Sequence, residues 1–228
     1  MISLLYVFFI FVAFMAIIGA VRGWAKETLV LFSALLALFI IVVLDQYVPV
    51  YKQIIAPTFT THVVQQGDSC ESVASSFNVP LRSLIAYNNL SPADCTLIPG
   101  GGLNIPKDTT RFFVNSFIVL FFAFFGYQTP MIKYFQAAAR REKVRDAVLG
   151  AIAGGANGWL VIGTIWSFLH SSGYEYFDPV LVPPEIGTKI AERTADWILN
   201  MPPELIMHEP LIYFMIALAF GLVLIVYI

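Results

Sequence analysis

Charged residues are scarce in this chain. They make up 12% of its 228 residues, whereas soluble globular domains contain about 25%. This scarcity, together with a hydrophobic content of 58%, excludes an ordinary soluble domain and places the chain among membrane proteins. The net charge of −2 decides little, because in a membrane protein the positions of the charges matter more than their sum.

Groups suited to catalysis or metal binding are also few. The three histidines are scattered, and the predicted membrane helices contain no central carboxylate or lysine. No second ligand pairs with His62, so we expect no metal site. Asn115, Ser116 and Asn157 are the notable polar residues within the helices, too few for an evident ion path. We therefore expect no enzyme, no cofactor and no nucleic-acid partner, and a transporter only as an oligomer.

Four or five apolar segments are long enough to span a bilayer, which takes roughly 20 helical residues. No basic residue precedes the first segment, as one would in a cleaved signal peptide, so we expect a retained helix. The second segment is extended by the weakly polar Asp45–Val50. The predicted spans are Ile2–Val21, Leu29–Leu44, Phe112–Tyr127, Ala147–Leu169 and Leu211–Ile228.

The distribution of Lys and Arg predicts the orientation, because short cytoplasmic loops are enriched in both. Two loops are basic, and their residues are Arg22 and Lys26, then Lys133, Arg140, Arg141, Lys143 and Arg145. The segment 170–210 has only Lys189 and Arg193 against seven acidic residues. We therefore expect the N-terminus and residues 51–111 outside, in the inner membrane of a bacterium.

The long polar stretch between the second and third spans has a β-α-α-β pattern. His62–Gln65 alternates as a strand does, and a turn at Gly67 leads into a helix over Cys70–Phe77. Either Asp68 or Ser69 is suited to cap that helix. Val79-Pro80 ends it, Leu81–Asn88 forms a second short helix, and Leu103–Pro106 forms the closing strand.

These elements, in this order and spacing, resemble a LysM domain from end to end. The residues that carry the resemblance are His62–Ser69, Val73-Ala74, Asn78-Val79, Leu84, Asn88–Leu90, Pro99-Gly100, Leu103 and Ile105-Pro106. The resemblance implies a shallow groove for N-acetylglucosamine-containing glycan such as peptidoglycan. Carried onto this chain, its residues are Gly67, Asp68, Ser69, Cys70, Leu97, Ile98 and Pro99. The chain departs from the family at Gly100-Gly101-Gly102, where a single glycine is usual.

Alternatives to glycan binding stay open for this module. Gly67 and Gly100 are also explained as turn glycines and Asp68 as a helix cap, and the module could contact a partner protein. Cys70 and Cys95 both lie in the module, and an even pair outside the cytoplasm favours a disulfide. The alternative is two buried free thiols.

Two motifs flank the predicted cytoplasmic side, GAVRGWAKE at residues 19–27 and RDAVLGAIAGGANG at residues 145–158. In the second, Gly150, Gly154 and Gly158 share one helix face, which favours close helix packing within the chain or with a second copy. In the first, Arg22, Lys26 and Glu27 are expected at the membrane boundary. Together the motifs resemble the colicin V production (CvpA) family of small membrane proteins, although Asn157 stands where a basic residue is common.

An amphipathic helix is predicted over residues 184–200, on the same side as the module. Ile190, Thr194 and Trp197 share its apolar face, and Pro183-Pro184 suits its start. We expect it at the outer membrane interface, with Trp197 among the interfacial aromatics. The alternative is a helix packed under the LysM-like module.

The predicted fold is a mostly α polytopic membrane protein with a small LysM-like domain. Residues 1–57 form a helical hairpin, 58–108 the module, and 109–228 the remaining helices. One functional hypothesis is an envelope scaffold in the lipid bilayer that the module tethers to peptidoglycan. The other is an accessory structural subunit of a larger, photosynthetic or respiratory membrane complex. The first hypothesis predicts a homo-oligomer and the second a subunit of a membrane complex.

Overall fold

The computed structural model describes residues 3–77, 79, 81–91, 95–129, 143–174, 177 and 188–227. It is mostly helical, at 74%, and contains one two-stranded sheet. In chain order the elements are α1 Leu4–Arg22, α2 Trp24–Tyr47, α3 Pro49–Ile54, β1 Thr58–Val63, α4 Cys70–Ser76, α5 Leu81–Tyr87, β2 Gly102–Lys107, α6 Thr109–Gln128, α7 Lys143–Ser171, α8 Lys189–Ile198, α9 Pro202–Ile206 and α10 Leu211–Tyr227.

Among the described residues, four helices are long and apolar enough to cross a membrane, namely α1, α2, α6 and α7. The pair formed by 189–206 and α10, bent by 74°, raises the number to five if it counts as one span. This agrees with the four or five predicted spans. The boundaries differ by at most five residues, and the largest differences are at the starts of α2 and α7, which begin five and four residues earlier than predicted.

The break after α2 corrects the predicted extension of the second span. We expected Asp45–Val50 to continue it, but the helix ends at Tyr47 and α3 begins at Pro49. Proline lacks an amide hydrogen and disfavours helical backbone in the residue before it. Val48 is accordingly extended, with φ −111° and ψ 98°.

The helix α7 forms the centre of the bundle and packs against α1, α2 and α6, while α10 packs against α2. The main core contains Leu35, Leu38, Val119, Leu160 and Ile212, all buried. Large apolar side chains remain on the outer faces, for example Ile10, Phe14, Phe117 and Phe124. A water-soluble monomer rarely exposes so large an apolar surface, so the exterior suits lipid.

The module between α3 and α6 is a two-stranded antiparallel sheet covered by α4 and α5. The register pairs Thr58 with Lys107 and Val63 with Gly102. Its core contains Val64, Val73, Leu84, Leu103 and Ile105, all buried. The predicted β-α-α-β order is confirmed, and β1 begins four residues before the predicted strand. Asn78 and Pro80, which the resemblance and the helix break used, lie outside the described residues.

The sheet sets the distance between the bundle and the far end of the module. Thr58 and Lys107 adjoin α3 and α6, whereas Val63 and Gly102 form the opposite end. At about 3.3 Å per residue, β1 extends roughly 16 Å between its two ends. The loops after β1 and before β2 therefore lie at the end of the module that points away from the helices.

The amphipathic segment packs on the bundle. Within α8, Thr194 and Ile198 are buried while Ile190 stays exposed. Trp197 contacts Phe9 of α1, with ring centroids 4.9 Å apart. The predicted helix start, at Pro183, Pro184, Glu185 and Ile186, lies outside the described residues.

Candidate functional site: the groove of the module and the polar cluster of the helices

The first wall of the candidate groove is the loop from Gln65 to Ser69. The Asp68 carboxylate accepts a hydrogen bond of 2.8 Å from the Gln65 amide and lies 3.0 Å from His62 Nε2. These bonds, the backbone amide first, lower the pKa of Asp68. Gly67 has φ +100°, a backbone conformation that residues other than glycine rarely adopt. Asp68 therefore fixes the shape of this wall.

Of the two residues predicted as the cap of α4, Ser69 performs the role. Its side chain accepts from the Ser72 amide at 3.1 Å, and Ser72 Oγ accepts from the Ser69 amide at 2.9 Å. This reciprocal arrangement is a capping box formed by two serines. Asp68 therefore does not cap α4, and its carboxylate instead closes the turn from Gln65 to Asp68.

The second wall, from Leu97 to Gly101, is joined to the first at its base. The Gly100 amide donates to the Val64 carbonyl at 2.8 Å, and the Val64 amide donates to the Gly101 carbonyl at 2.9 Å. Gly100 has φ +82°. A Cβ on Gly101 would lie 2.9 Å from the Ile98 carbonyl oxygen, too close for a side chain. Backbone hydrogen bonds to Val64 therefore hold the glycine run in place, and the close approach of Gly101 to the Ile98 carbonyl leaves no room for a side chain there.

A disulfide joins the two loops that form the walls. Cys70 and Cys95 are bonded, with Cα atoms 6.0 Å apart, so the predicted pairing is confirmed. The bond connects the start of α4 to the chain just before Leu97. Cys70 is buried in the module core, so this predicted groove residue supports the walls and offers no side chain to a ligand.

Most of the remaining predicted groove residues are exposed, whereas Leu97 is partly buried and packs against the module core. Gly67, Ser69 and Pro99 are exposed, and Ile98 is 77% exposed. An isoleucine so exposed in the loop before β2 can cover the apolar face of a sugar ring, while nearby peptide groups hydrogen-bond to the substituents of the ring. This geometry suits a carbohydrate better than a charged ligand.

Comparison with known protein families supports the module as a unit. The LysM domain model matches residues 62–106. This is about a fifth of the chain, and the match suggests peptidoglycan or other glycan binding. The comparison gives no evidence for the CvpA resemblance, which stays a prediction about the helices. No curated protein and no solved structure matches the chain.

The helices contain a second group of polar residues, centred on Glu27. Its side chain is fully buried, with Arg22 Nε 3.1 Å from Oε1 and Asn157 Nδ2 2.8 Å from Oε2. Arg22 also donates to the Tyr127 carbonyl at 3.3 Å and lies over the Tyr127 ring. Glu27 is enclosed between α1, α2 and α7, and its predicted position at the membrane boundary stays a prediction.

Helices α1 and α7 are in close contact at the glycines of α7. A Cβ on Gly154 would lie 2.9 Å from Gly19 Cα, and one on Gly158 would lie 3.1 Å from Val12 Cα. Gly150 likewise faces the Gly19 carbonyl. The three glycines singled out in the sequence thus lie against α1 of the same chain, and the missing side chains allow backbone contact.

The structure describes only some of the other residues predicted at the membrane interface. Arg145 is exposed and Lys26 is half-buried. Arg140 and Arg141 lie outside the described residues, as does the side chain of Lys143. Sequence reasoning missed Asp146, whose carboxylate accepts from the Trp24 amide at 3.0 Å. The local pattern around Asp146 gave no signal of this contact, because the two residues are 122 positions apart in the chain.

Proposed function

We propose that this protein is a membrane-embedded scaffold of the cell envelope, tethered to N-acetylglucosamine-containing glycan through its LysM module. The single observation that carries the proposal is the match of residues 62–106 to the LysM domain, in a chain with four or five apolar helices. The scaffold role is non-enzymatic and needs no cofactor.

The position of the groove supports a tether. Its walls lie at the end of the sheet opposite Thr58 and Lys107, the residues that lead to the helices. The groove therefore points away from the helices, toward a glycan chain lying above the membrane. A module that served only as a spacer would have no need of this arrangement.

The stiffness of the groove also supports ligand binding. Two backbone hydrogen bonds at Val64, the Cys70–Cys95 disulfide and the Asp68 turn hold its walls before any ligand arrives. Preorganisation of this kind reduces the entropy lost on binding. A shallow groove with few charged contacts otherwise has little to offset that loss.

We further propose that the module faces the outside of a bacterial inner membrane. The ends of α7 support this orientation, because Gly150 lies beside Gly19 and Gly23 near the basic hairpin, whereas Ser171 lies near the module. Basic residues retained in short loops favour the cytoplasmic side. The N-terminus would then lie outside.

The test is binding of N-acetylglucosamine oligomers to the full chain in nanodiscs, measured by isothermal titration calorimetry. Ile98→Ser removes the apolar side chain that we expect to contact the sugar ring. The burial of an aliphatic side chain is worth about 1.5 kcal/mol or more, so we expect the variant to bind roughly ten-fold more weakly. Val50→Ser is the matched control, because Val50 on α3 is 62% exposed and distant from the groove. Its binding should equal that of the parent chain.

The opposite result is equally informative. A folded chain with an intact disulfide that binds no oligomer would overturn the tether. The module would then be a structural part of a membrane assembly, and copurification of large protein partners from native membranes would support that role. Retained binding in Ile98→Ser would place the sugar elsewhere on the module.

A further inference from the structure

A polar cavity of about 310 Å³ lies where the module meets the helices. Its walls come from α2, α3, α6, α7 and α9, together with Ser83 of α5 and the linker residue Asp108. The volume is at the lower end of the range for small-molecule sites, about 300 to 1,000 Å³. The cavity is separate from the groove, which lies at the opposite end of the sheet.

Asp108 gives this cavity an unsatisfied acceptor. The residue is 7% exposed, and its Oδ1 has no hydrogen-bond partner among the residues that the structure describes. Although Asp108 precedes α6, its side chain makes no capping bond to that helix. Burial raises the pKa of Asp108, and the nearby Arg111 opposes that rise. A buried carboxylate without a donor is costly, so a ligand that supplies one is favoured.

The charge of the walls indicates which donor fits. Three carboxyl groups line the cavity, from Asp45, Asp108 and Glu204, and Arg111 is the basic residue among the described lining residues. Arg111 already lies 3.2 Å from Asp45. Arg111 Nε is buried without a hydrogen-bond partner among the described residues, as Asp108 Oδ1 is. The cavity therefore offers an acceptor at Asp108 that a charged donor group such as an ammonium would satisfy.

An organic cation fits better than a metal ion. Within the described part of the chain, no group of three or more His, Cys, Asp or Glu side chains could hold a metal. Phe112, Phe168 and Met207 provide apolar wall beside the carboxylates. Tyr51 donates to Asn115, and burial raises the pKa of Tyr51 to about 12, so the hydroxyl stays protonated and its oxygen can accept from a cation. These groups suit a cationic head on a short apolar stem.

We propose that this cavity binds a primary ammonium group, which donates to Asp108 while its methylene groups contact the aromatic wall. The proposal does not depend on glycan binding by the module. Two sources carry this chemistry, a soluble amine and the headgroup of an ethanolamine phospholipid, because the cavity lies at the ends of three spanning helices.

The experiment titrates ethanolamine into the full chain in phosphatidylcholine nanodiscs and detects binding by saturation-transfer NMR. Ethylene glycol is the matched probe, since a hydroxyl replaces the ammonium. We expect saturable binding of ethanolamine, at least about ten-fold weaker in Asp108→Asn because a charge-assisted bond is lost. Glu71→Gln, which removes an exposed carboxylate of the module, should bind as the parent chain does.

The lipid arm repeats the titration in nanodiscs of phosphatidylethanolamine. Loss of ethanolamine binding there identifies the lipid headgroup as the occupant, and unchanged binding identifies a soluble amine. Equal binding of ethylene glycol and ethanolamine by the parent chain would overturn the proposal without reference to any variant. So would the absence of ethanolamine binding in phosphatidylcholine, or full binding by a folded Asp108→Asn chain.

Discussion

Single side chains do different work in the two halves of the molecule. In the module, Asp68 accepts from Gln65 and meets His62 at the surface, so its contribution is to shape a loop. In the bundle, Glu27 is fully buried and is met by Arg22 and Asn157. An exposed pair is worth little for stability, whereas a buried charge depends on its partners.

The Arg22–Glu27 pair gives the prediction at this scale. Arg22→Gln should lower the free energy of unfolding by about 3 to 5 kcal/mol, because it leaves the Glu27 carboxylate buried and without a counter-charge. Thermal or denaturant unfolding of the chain in detergent, followed by tryptophan fluorescence, measures the loss.

The double variant Arg22→Gln/Glu27→Gln is the control. It removes both charges from the same site, so it should recover part of the stability lost in the single variant. If the single and double variants are equally unstable, Arg22 acts through its contacts with Tyr127 and the charge of Glu27 is unimportant.

The features that depend on neighbouring residues in the sequence, such as the helix cap of α4, could be predicted. The capping residue of α4 was narrowed to Asp68 or Ser69, because both have short acceptors at a helix start. The second partner of Glu27, Asn157, was not found, because it is 130 residues away in the chain. Nothing in the local pattern connects the two, and only the packing of α2 on α7 brings them together.

At the scale of elements, the contact between α1 and α7 depends on glycine at one face of α7. Gly154 lies against the backbone of α1, with Gly19 Cα 2.9 Å from the position of a Cβ. Its neighbour Gly155 meets only the Ala16 side chain, at 3.7 Å. Adjacent glycines of α7 thus have different roles, because only Gly154 lies on the helix face that contacts the backbone of α1.

This difference predicts opposite results for two similar substitutions. Gly154→Ala should destabilise the chain by about 1 to 3 kcal/mol, because α1 must move away to admit the methyl group. Gly155→Ala should be neutral or stabilising by up to about 1 kcal/mol, because alanine favours a helix interior over glycine. Unfolding of both variants in the same detergent measures the contrast, and equal stability would remove the packing role assigned to Gly154.

For the whole molecule, composition and periodicity predicted the architecture because a bilayer and a small sheet both impose simple patterns. Spans of about 20 apolar residues and a β-α-α-β order are legible without tertiary information. The cavity at Asp108 was not predicted, because its walls come from six elements and no local pattern connects them. The break at Pro49 was missed because an apolar run was given more weight than its proline.

The two ends of the bundle provide the last prediction, which concerns topology. Gln53 on α3 lies beside the module, whereas Gln128 ends α6 at the opposite end of that helix, and both are exposed. The native cysteines are joined in a disulfide, so they do not react with maleimides. An introduced cysteine is therefore the only reactive thiol in each variant.

We expect an impermeant maleimide to label Gln53→Cys in intact spheroplasts, and to label Gln128→Cys only after the membrane is permeabilised. This result would place the module outside, as a peptidoglycan tether requires. The reverse pattern would put the module in the cytoplasm, where no cell-wall glycan reaches it, and would remove the tether while leaving the ammonium cavity intact. Labelling of both positions in intact spheroplasts would contradict a membrane-spanning α6, because its two ends could not then lie on opposite sides of the bilayer.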